Sequence, residues 1–363
     1  MRVRDFPITL DKVLPGFAAP RSLNRTTGLA SRAVRRRERD DFRVQAPSPL
    51  LAISESEVRR LLGLDSLIDA LVGAFVELSS GRASVPAKIG AQVPDAGVLV
   101  AIPGYVRGVL EAKLVSVFSA NRQAALPTVQ AVIVIFDERT GTPLALMGAT
   151  HLTAARTAAA SALSTRLLAR DDATTLAVVG AGVLGRSHLE ALPRVRPFKE
   201  IRVASRTVAH AEALAREFGA VAVGSVEEAV RVADVVCVCT DASAPVLRRE
   251  WLAPGTHVTS VGIARDGPEL DPATVRAGLL AVESRTAFQP YPSGAHELQG
   301  LEPETAVELG EVLSGTRPGR ESDDQITVYK SAGHAVEDAT AARLVYDAAR
   351  AQGAGSAVDL LGE

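Results

Sequence analysis

Residues 176–185 have the sequence Leu-Ala-Val-Val-Gly-Ala-Gly-Val-Leu-Gly, in which an apolar run leads directly into the spacing Gly-x-Gly-x-x-Gly. The apolar run predicts a buried strand, and residues 186–192 continue with the composition of a helix. Between a strand and a helix, this spacing is typical of a dinucleotide-binding turn, although a glycine-rich turn without a ligand is the alternative. Gly180 permits the tight turn, Gly182 the approach of a pyrophosphate, and Gly185 close packing of the helix. The predicted cofactor-binding residues of the turn are Gly180, Ala181, Gly182, Val183, Leu184 and Gly185.

The end of the next predicted strand indicates which dinucleotide binds. An NAD site usually carries an Asp or Glu about 20 residues after the turn, where it binds the ribose 2′-hydroxyl. This chain instead has Ser205, Arg206 and Thr207 at that place. A guanidinium with two hydroxyls suits a 2′-phosphate, because Arg binds phosphate with a fork of charged donors. The pattern favours NADP(H) over NAD(H), and an ordinary solvent-facing turn before the next helix is the alternative.

Composition limits the class of protein. The chain has 363 residues, 47% of them apolar, and a formal net charge of −2. The length predicts two domains, and the charge disfavours a binder of nucleic acid or anionic membranes. No apolar stretch approaches the roughly 20 residues of a membrane span. Cys237 and Cys239 alternate along one apolar run with no further zinc ligand near them in sequence, which predicts buried thiols in a reducing cytoplasm and no metal site.

The pattern of elements divides the chain. Residues 174–285 alternate predicted strands and helices, which is typical of a parallel sheet. We therefore expect an α/β fold in which a Rossmann-type NAD(P)-binding domain, residues 173–304, is inserted into an α+β domain. That α+β domain comprises residues 50–172 plus 305–363. Residues 1–49 contain ten Arg and one Lys against five acids, and we expect a basic, disordered extension with no assigned function.

Three cations occupy unusual settings. Lys88 follows Val-Pro-Ala in a kinked loop, and Lys113 lies at the entry to an apolar strand. Arg156 lies in residues 150–169, a predicted helix whose residues near it are all small. Small neighbours allow a ligand or another segment to approach the guanidinium closely. Each cation has an equally simple interpretation as a surface group, so their convergence on an anion is a hypothesis.

The order of these motifs resembles the ornithine cyclodeaminase/mu-crystallin family. This family also contains archaeal alanine dehydrogenases and bacterial ketimine or Δ1-pyrroline-2-carboxylate reductases. The resemblance extends over roughly residues 50–350 and is carried by five motifs, at residues 113–118, 140–147, 152–159, 180–192 and 326–338. It implies a homodimer in which the α+β domain is the substrate-binding and dimerisation domain.

The resemblance also implies roles for the three cations. Arg156 and Lys88 correspond to the residues that bind the substrate carboxylate, although many family members have Arg where this chain has Lys88. Lys113 corresponds to the lysine beside the reacting carbon, where a desolvated Lys has a lowered pKa and donates a proton at neutral pH. Ligands of parallel sheets bind at the carboxyl ends of strands. Thr240 and Val261 are therefore predicted to border the cofactor. Lys330 and Ser331 are expected to approach it from the α+β domain, with strand-to-helix packing as the alternative.

One departure from the family bears on the reaction. Cyclodeaminases resemble one another in having an Asp directly after Val-Gly, and this chain has Ile263 and Ala264 there, with Asp266 later. Our hypothesis is an NAD(P)H-dependent oxidoreductase that reduces a small imine carboxylic acid to an amino acid, or runs in reverse. An ornithine cyclodeaminase-type ammonia-lyase and a mu-crystallin-like NADPH-dependent small-ligand-binding protein are the alternatives.

Overall fold

The computed structural model describes residues 49–263 and 267–360, which form two β-sheets with helices packed around them. The first sheet has seven strands in the order β15-β1-β6-β5-β4-β3-β2. Strands β2 to β6 pair antiparallel, and β1 joins β6 in parallel. The strands are β1 (Leu50–Ile53), β2 (Ile89–Val93), β3 (Gly97–Val106), β4 (Val109–Val117), β5 (Val129–Phe136), β6 (Pro143–Gly148) and β15 (Ser356–Val358).

The second sheet contains the glycine-rich motif and has eight strands in the order β13-β12-β14-β11-β10-β7-β8-β9. Its strands are β7 (Thr175–Val179), β8 (Glu200–Ala204), β9 (Val221–Ala222), β10 (Val235–Val238), β11 (His257–Ser260), β12 (Leu279–Val282), β13 (Ala306–Glu308) and β14 (Thr327–Lys330). All pairs are parallel, so every carboxyl end lies at the same edge. The predicted α/β fold with a Rossmann-type parallel sheet is confirmed.

Nine α-helices surround these sheets within the described residues. They are α1 (Glu55–Leu61), α2 (Leu64–Ser79), α3 (Thr150–Leu168), α4 (Val183–Ala191), α5 (Val208–Phe218), α6 (Val226–Val230), α7 (Pro272–Val275), α8 (Leu309–Leu313) and α9 (Ala335–Gln352). Helix α3 is buried on nearly all sides and packs on α2 and α9 as well as on α4 and β11. Its Ala and Ser residues let these neighbours approach closely. Helix α3 therefore joins the two sheets and carries Arg156 into the interior.

The second sheet extends further along the chain than the sequence indicated. The predicted boundary at residue 304 gave β13 and β14 to the first domain, but both pair within the second sheet. Strand β14 is inserted between β11 and β12, which a short apolar run cannot reveal because its pairing partners are distant in sequence. Helix α8 packs on α2, and α9 and β15 return to the first sheet, so residues 305–363 contribute to both sheets and not to the first alone.

Two predictions fall on residues that the structure does not describe. The basic extension at residues 1–49 lies outside the described part of the chain except for Pro49, and so does Asp266. Among the described residues, no helix is both long and apolar enough to cross a membrane.

Candidate active site

The glycine turn between β7 and α4 has a backbone conformation that leaves no room for a side chain at two of its glycines. Gly180 has φ +112°, and a Cβ there would lie 2.5 Å from the carbonyl oxygen of Cys239. A Cβ on Gly185 would collide with the carbonyl oxygen of Gly180. In contrast, a Cβ on Gly182 would meet no atom within 4 Å, so open space faces the amino end of α4. Unpaired amides and a helix dipole favour a phosphate there, so the turn fits a dinucleotide pyrophosphate.

The predicted 2′-phosphate residues lie beside this turn. Strand β8 pairs in parallel with β7, so that Ala204 is level with Val179. Ser205, Arg206 and Thr207 follow directly, with Arg206 and Thr207 exposed and Ser205 half-buried. This segment is therefore open to a ligand that extends from the glycine turn. Within the turn, Val183 is exposed, and Ala181 and Leu184 are partly covered.

Glu269 is a buried carboxylate that was not predicted from the sequence. It holds the carboxyl ends of β10 and β11 in place. Glu269 accepts hydrogen bonds from the backbone N–H of Thr240 at 2.6 Å and from its hydroxyl at 2.7 Å. It also accepts from the hydroxyl of Ser260 at 2.7 Å and from the N–H of Gly262 at 2.9 Å. Glu269 thereby ties β10 to β11 and sets the positions of Thr240 and Val261. Its only sequence signal is an acid between Pro268 and Leu270.

The structure does not bring Lys330 to the cofactor edge as an exposed cation. Its side chain is fully buried, and Nζ lies 2.9 Å from Oε1 of Glu297 and 2.6 Å from the carbonyl oxygen of Gly262. Ser331 is also buried and donates its hydroxyl to Glu283 at 2.5 Å. The burial of both residues is explained by the position of β14, which lies inside the sheet between β11 and β12. The packing alternative describes them better than a cofactor contact does.

A buried ionic cluster joins β4, α3 and α9. Lys113 places Nζ 2.7 Å from Oδ2 of Asp338, and Arg156 places Nε 2.9 Å from Oδ1 of the same carboxylate. Arg156 also donates through Nη1 to Glu337 at 2.6 Å. The side chains of all four residues are at most 8% exposed. The hypothesis that Lys113 and Arg156 converge therefore agrees with the geometry, and Asp338 is the bridging group that the sequence analysis did not assign.

Lys88 borders a pocket beside this cluster. Its half-buried side chain donates from Nζ to the carbonyl oxygen of Ala332 at 2.7 Å. The pocket is lined in part by Lys88, Ile102, Glu283, Ser284, Gly333 and His334. Gly333 has φ +69°, and a Cβ there would lie 2.9 Å from Nη1 of Arg156. The glycine therefore lets the pocket wall lie directly on the guanidinium.

Burial shifts the pKa values of the ionisable groups in and beside this cluster. Burial lowers the pKa of Lys113, and it lowers the pKa of Lys88 to about 8 with help from Arg156. Burial raises the pKa of Glu337 to about 8, against the opposing effect of Arg156. Burial opposes ionisation of Asp338 too, but Arg156 and Lys113 outweigh it and lower the pKa of this carboxyl. At neutral pH, Glu337 is therefore mostly protonated and leaves part of the Arg156 charge uncompensated, which favours an anionic ligand.

Cys237 and Cys239 have a neighbour, His188, that was not predicted from the sequence. His188 of α4 brings a ring nitrogen to within 4.8 Å of the sulfur atoms of Cys237 and Cys239. The expectation that no third metal ligand lies near them is therefore wrong, because helix packing joins residues distant in sequence. The His188 ring already has partners, with Nδ1 2.7 Å from the carbonyl oxygen of Leu184 and Nε2 2.9 Å from Oγ of Ser161. We assign no metal to this group.

Comparison with known proteins shows to which family the chain belongs. The model of the ornithine cyclodeaminase/mu-crystallin family matches residues 51–353. The chain belongs to this family. The ketimine reductase mu-crystallin of Mus musculus is 40% identical over 305 residues, which covers 81% of this chain and 96% of that relative. The family resemblance seen in the sequence motifs is thus confirmed.

Solved structures of two family enzymes share the fold. Δ1-pyrroline-2-carboxylate reductase of Thermococcus litoralis, in complex with NADH and L-proline, matches with a TM-score of 0.80 and 34% identity over 85% of this chain and 100% of that chain. An archaeal alanine dehydrogenase dimer with bound NAD matches with a TM-score of 0.78 and 30% identity over 86% of this chain and 99% of that one. These likenesses span both sheets.

Proposed function

We propose that this protein is an NADPH-dependent reductase that converts a small imine carboxylic acid to an amino acid, or catalyses the reverse dehydrogenation. One observation carries the proposal. The buried Lys113–Arg156 cluster adjoins a pocket formed by segments that follow β12 and β14. Those segments lie at the carboxyl edge of the parallel sheet, which also holds the glycine turn. A substrate in this pocket therefore lies at the edge where such sheets bind dinucleotides.

Arg156 and Lys88 are suited to hold the substrate carboxylate. The guanidinium of Arg156 lies against Gly333 in the pocket wall, where a Cβ would lie 2.9 Å from Nη1 and 3.0 Å from Nη2, so it adjoins a ligand in the pocket. Lys88 adds a compact charge at the pocket wall, which is less directional than a second guanidinium. Together they fix one end of the substrate and so orient its C=N bond, which lowers the entropic cost of reaching the reactive geometry.

Lys113 is suited to supply the proton. Its ammonium is held by Asp338 and has a lowered pKa, so it gives up a proton more readily than an exposed lysine does. A bound nicotinamide dinucleotide supplies the hydride for the imine carbon. The task of the protein is to keep the imine nitrogen near Lys113 and to exclude water from the pocket.

One screen tests this function against its alternatives. Purified protein is incubated with NADPH and a panel of cyclic imine acids, keto acids with amines, and ornithine. Oxidation of NADPH with an imine acid supports the reductase. Formation of ammonia and proline from ornithine, without net consumption of the cofactor, establishes a cyclodeaminase instead. Tight binding of NADPH with no turnover of any compound establishes a binding protein. The presence of Ile263 where cyclodeaminases have Asp favours the first result.

The choice of NADPH over NADH rests on Arg206 and its neighbours. We expect Arg206→Gln to raise the KM for NADPH by about 10- to 100-fold, since a charge-assisted hydrogen bond contributes about 1.5–3 kcal/mol. The KM for NADH changes little, because NADH has no 2′-phosphate. Steady-state kinetics with both cofactors measures the ratio, and Arg216→Gln, an exposed arginine on the following helix, is the matched control. Equal losses with both cofactors would mean that Arg206 acts on a part common to both and would contradict its proposed contact with the 2′-phosphate.

We propose that the first sheet, with α3 and α9, forms the substrate-binding and dimerisation unit. One face of this sheet exposes a row of large apolar side chains on adjoining strands, Ile89, Leu99, Leu114, Val132 and Leu146. Leu114 and Val132 are direct cross-strand partners, so the row is continuous across β4 and β5. A contiguous apolar face of this kind marks an interaction surface, and a second copy of the chain is the occupant that we propose.

The proposed dimer gives a direct prediction. Leu114→Asp places a charge at the centre of the apolar face, so we expect this variant to sediment as a monomer at concentrations where the wild type is a dimer. Leu126→Asp, which changes an exposed leucine outside the sheet, is expected to stay dimeric. Analytical ultracentrifugation distinguishes the two. A wild-type protein that is monomeric throughout the accessible concentration range contradicts the proposal.

We also propose a cytoplasmic location. Cys237 and Cys239 are free and buried, although their sulfur atoms are only 3.1 Å apart. Free thiols so close together persist most readily in a reducing compartment. Mass spectrometry of protein that is denatured and alkylated as the cells are lysed is expected to find both cysteines alkylated, which shows that both were reduced.

A further inference from the structure

Glu283 is a buried acid in the pocket wall that the proposed mechanism does not use. It directly follows β12 and is only 1% exposed. It accepts hydrogen bonds from three successive residues of one segment, residues 331–333, which connects β14 to α9. Glu283 lies at the edge where parallel sheets bind ligands, yet it is bonded to this one segment, which indicates that the position of the segment matters to the site.

The carboxylate of Glu283 supplies acceptors for a stretch of irregular backbone. Its Oε1 accepts from the hydroxyl of Ser331 at 2.5 Å and from the N–H of Gly333 at 3.0 Å. Its Oε2 accepts from the N–H of Ala332 at 3.2 Å. Gly333 has φ +69°, a conformation found in neither helix nor strand. Because no helix or strand pairs these two N–H groups, the bonds to Glu283 hold the segment in place.

The same segment contacts both cations of the proposed carboxylate site. The carbonyl oxygen of Ala332 accepts a hydrogen bond from Nζ of Lys88 at 2.7 Å. Gly333 lies against Arg156, since a Cβ there would lie 2.9 Å from Nη1 and 3.0 Å from Nη2. Lys88 directly precedes β2 and Arg156 lies on α3, so residues 331–333 are a contact that the two cations share. A displacement of this segment therefore changes the surroundings of both.

Lys88 lies among charged groups from four parts of the chain. They are Arg156 on α3, Lys113 on β4, Asp338 on α9 and Glu283 after β12. Burial and then Arg156 lower the pKa of Lys88 to about 8, and the Glu283 carboxylate is the larger of the two charges that oppose this change. His334, also in the pocket wall, is uncharged near neutral pH, because burial lowers its pKa to about 4. The charge of Glu283 therefore helps to keep Lys88 in its ammonium form.

We infer that Glu283 is the positioning residue of the carboxylate-binding site, because it fixes residues 331–333 and thereby places Lys88 and Arg156 for the substrate carboxylate. The inference rests on the proposed function, in which these two cations bind that carboxylate. Glu283 acts through the two cations, so its loss weakens substrate binding and leaves hydride transfer and cofactor binding in place. Loss of its charge also makes the weakening depend on pH, because Lys88 then loses its proton more readily.

The kinetic test is Glu283→Gln, which keeps the shape of the side chain but removes its charge and one of its two acceptor oxygens. We expect the KM for the imine acid to rise by about 10- to 100-fold, the usual effect of losing a hydrogen bond to a charged group. The kcat at saturating imine acid and the KM for NADPH are expected to stay constant, which is the signature of lost substrate binding. Glu302→Gln, at an exposed acid between β12 and β13, is the matched control. An unchanged KM in Glu283→Gln overturns the inference.

The pH dependence separates positioning by a charged group from a merely loosened segment. In the wild type, the KM for the imine acid is expected to rise above the pKa of Lys88, about 8. In Glu283→Gln this rise is expected to begin about one pH unit lower, since an opposite charge nearby shifts a pKa by about that much. Glu283→Asp keeps the charge and is expected to keep the wild-type pH dependence, although its shorter side chain raises the KM. A KM that rises in Glu283→Gln by the same factor at every pH overturns the inference.

A binding measurement is independent of turnover. Pyrrole-2-carboxylate is a flat carboxylate with no imine to reduce or to titrate, and isothermal titration calorimetry gives its dissociation constant at each pH. We expect this constant to rise in Glu283→Gln by the same factor as the KM and with the same pH shift. Equal dissociation constants in wild type and Glu283→Gln overturn the inference. Wild-type protein that shows the expected binding but reduces no imine overturns the proposed reduction instead, so the two failures are distinguishable.

Discussion

Lys113→Met is expected to lower kcat for imine reduction by about 10²- to 10⁴-fold, which is the usual contribution of a positioned general acid. Methionine has nearly the length of lysine and fits an apolar cavity, but it has no proton to give. Binding of NADPH is expected to stay nearly intact, because the glycine turn lies on the other sheet. Stopped-flow kinetics gives kcat, and fluorescence titration gives the dissociation constant of NADPH. A variant that loses NADPH binding while it stays folded would show that Lys113 belongs to the cofactor site.

The control for Lys113→Met must separate lost chemistry from lost stability. Removing Lys113 leaves Asp338 with Arg156 as its remaining ion-pair partner, and breaking a buried pair costs about 3–5 kcal/mol. We therefore expect a lower unfolding temperature for Lys113→Met and partial recovery in the double variant Lys113→Met/Asp338→Asn. The double variant is expected to remain inactive. Lys199→Met, at an exposed lysine of the second sheet's surface, is expected to leave both properties unchanged.

The sequence predicted those parts of the fold that depend on local patterns. The glycine turn and the helix around Arg156 each follow from spacing within about 20 residues, and each was located within a residue or two. The position of β14 was not predicted, since insertion between β11 and β12 depends on pairing with segments far along the chain. Strand order depends on tertiary packing, so it cannot be predicted from short apolar runs.

The buried acids were the main omission from the predicted site. Asp338 ends one of the motifs that carry the family resemblance, but the sequence assigned it no role, whereas the structure makes it the shared partner of Lys113 and Arg156. Glu269 and Glu283 resemble surface acids in the sequence, because one stands in a loop and the other directly follows the apolar run of β12. The sequence gives the charge of these residues but not their burial, and burial determines both their partners and their titration.

Arg156→Met is expected to destabilise the protein by about 3–5 kcal/mol, the cost of leaving buried acids without their cation. The guanidinium bonds Glu337 and also lies against Asp338, so this one substitution removes a charge from both. It also removes the main carboxylate-binding group, so we expect the KM for the imine acid to rise steeply. Chemical denaturation measures the first effect and steady-state kinetics the second. Arg156→Lys keeps the charge without the fork and is expected to recover more of the stability than of the KM.

The pH dependence of the stability lost in Arg156→Met identifies the cause of that loss. In the wild type, Arg156 lowers the pKa of both Glu337 and Asp338, so its removal raises the pKa of Glu337 further above its unfolded value and raises that of Asp338 from its lowered value. A folded acid with a raised pKa binds a proton that the unfolded chain has released, so stability falls as pH rises. The deficit of Arg156→Met relative to the wild type is therefore expected to grow as pH rises through the wild-type pKa of Glu337, about 8, because below this pH Glu337 is protonated in both folded proteins. Adding Glu337→Gln removes one of the two acids and is expected to flatten this dependence. A deficit that is constant with pH would mean that Arg156 stabilises the fold through packing rather than through charge.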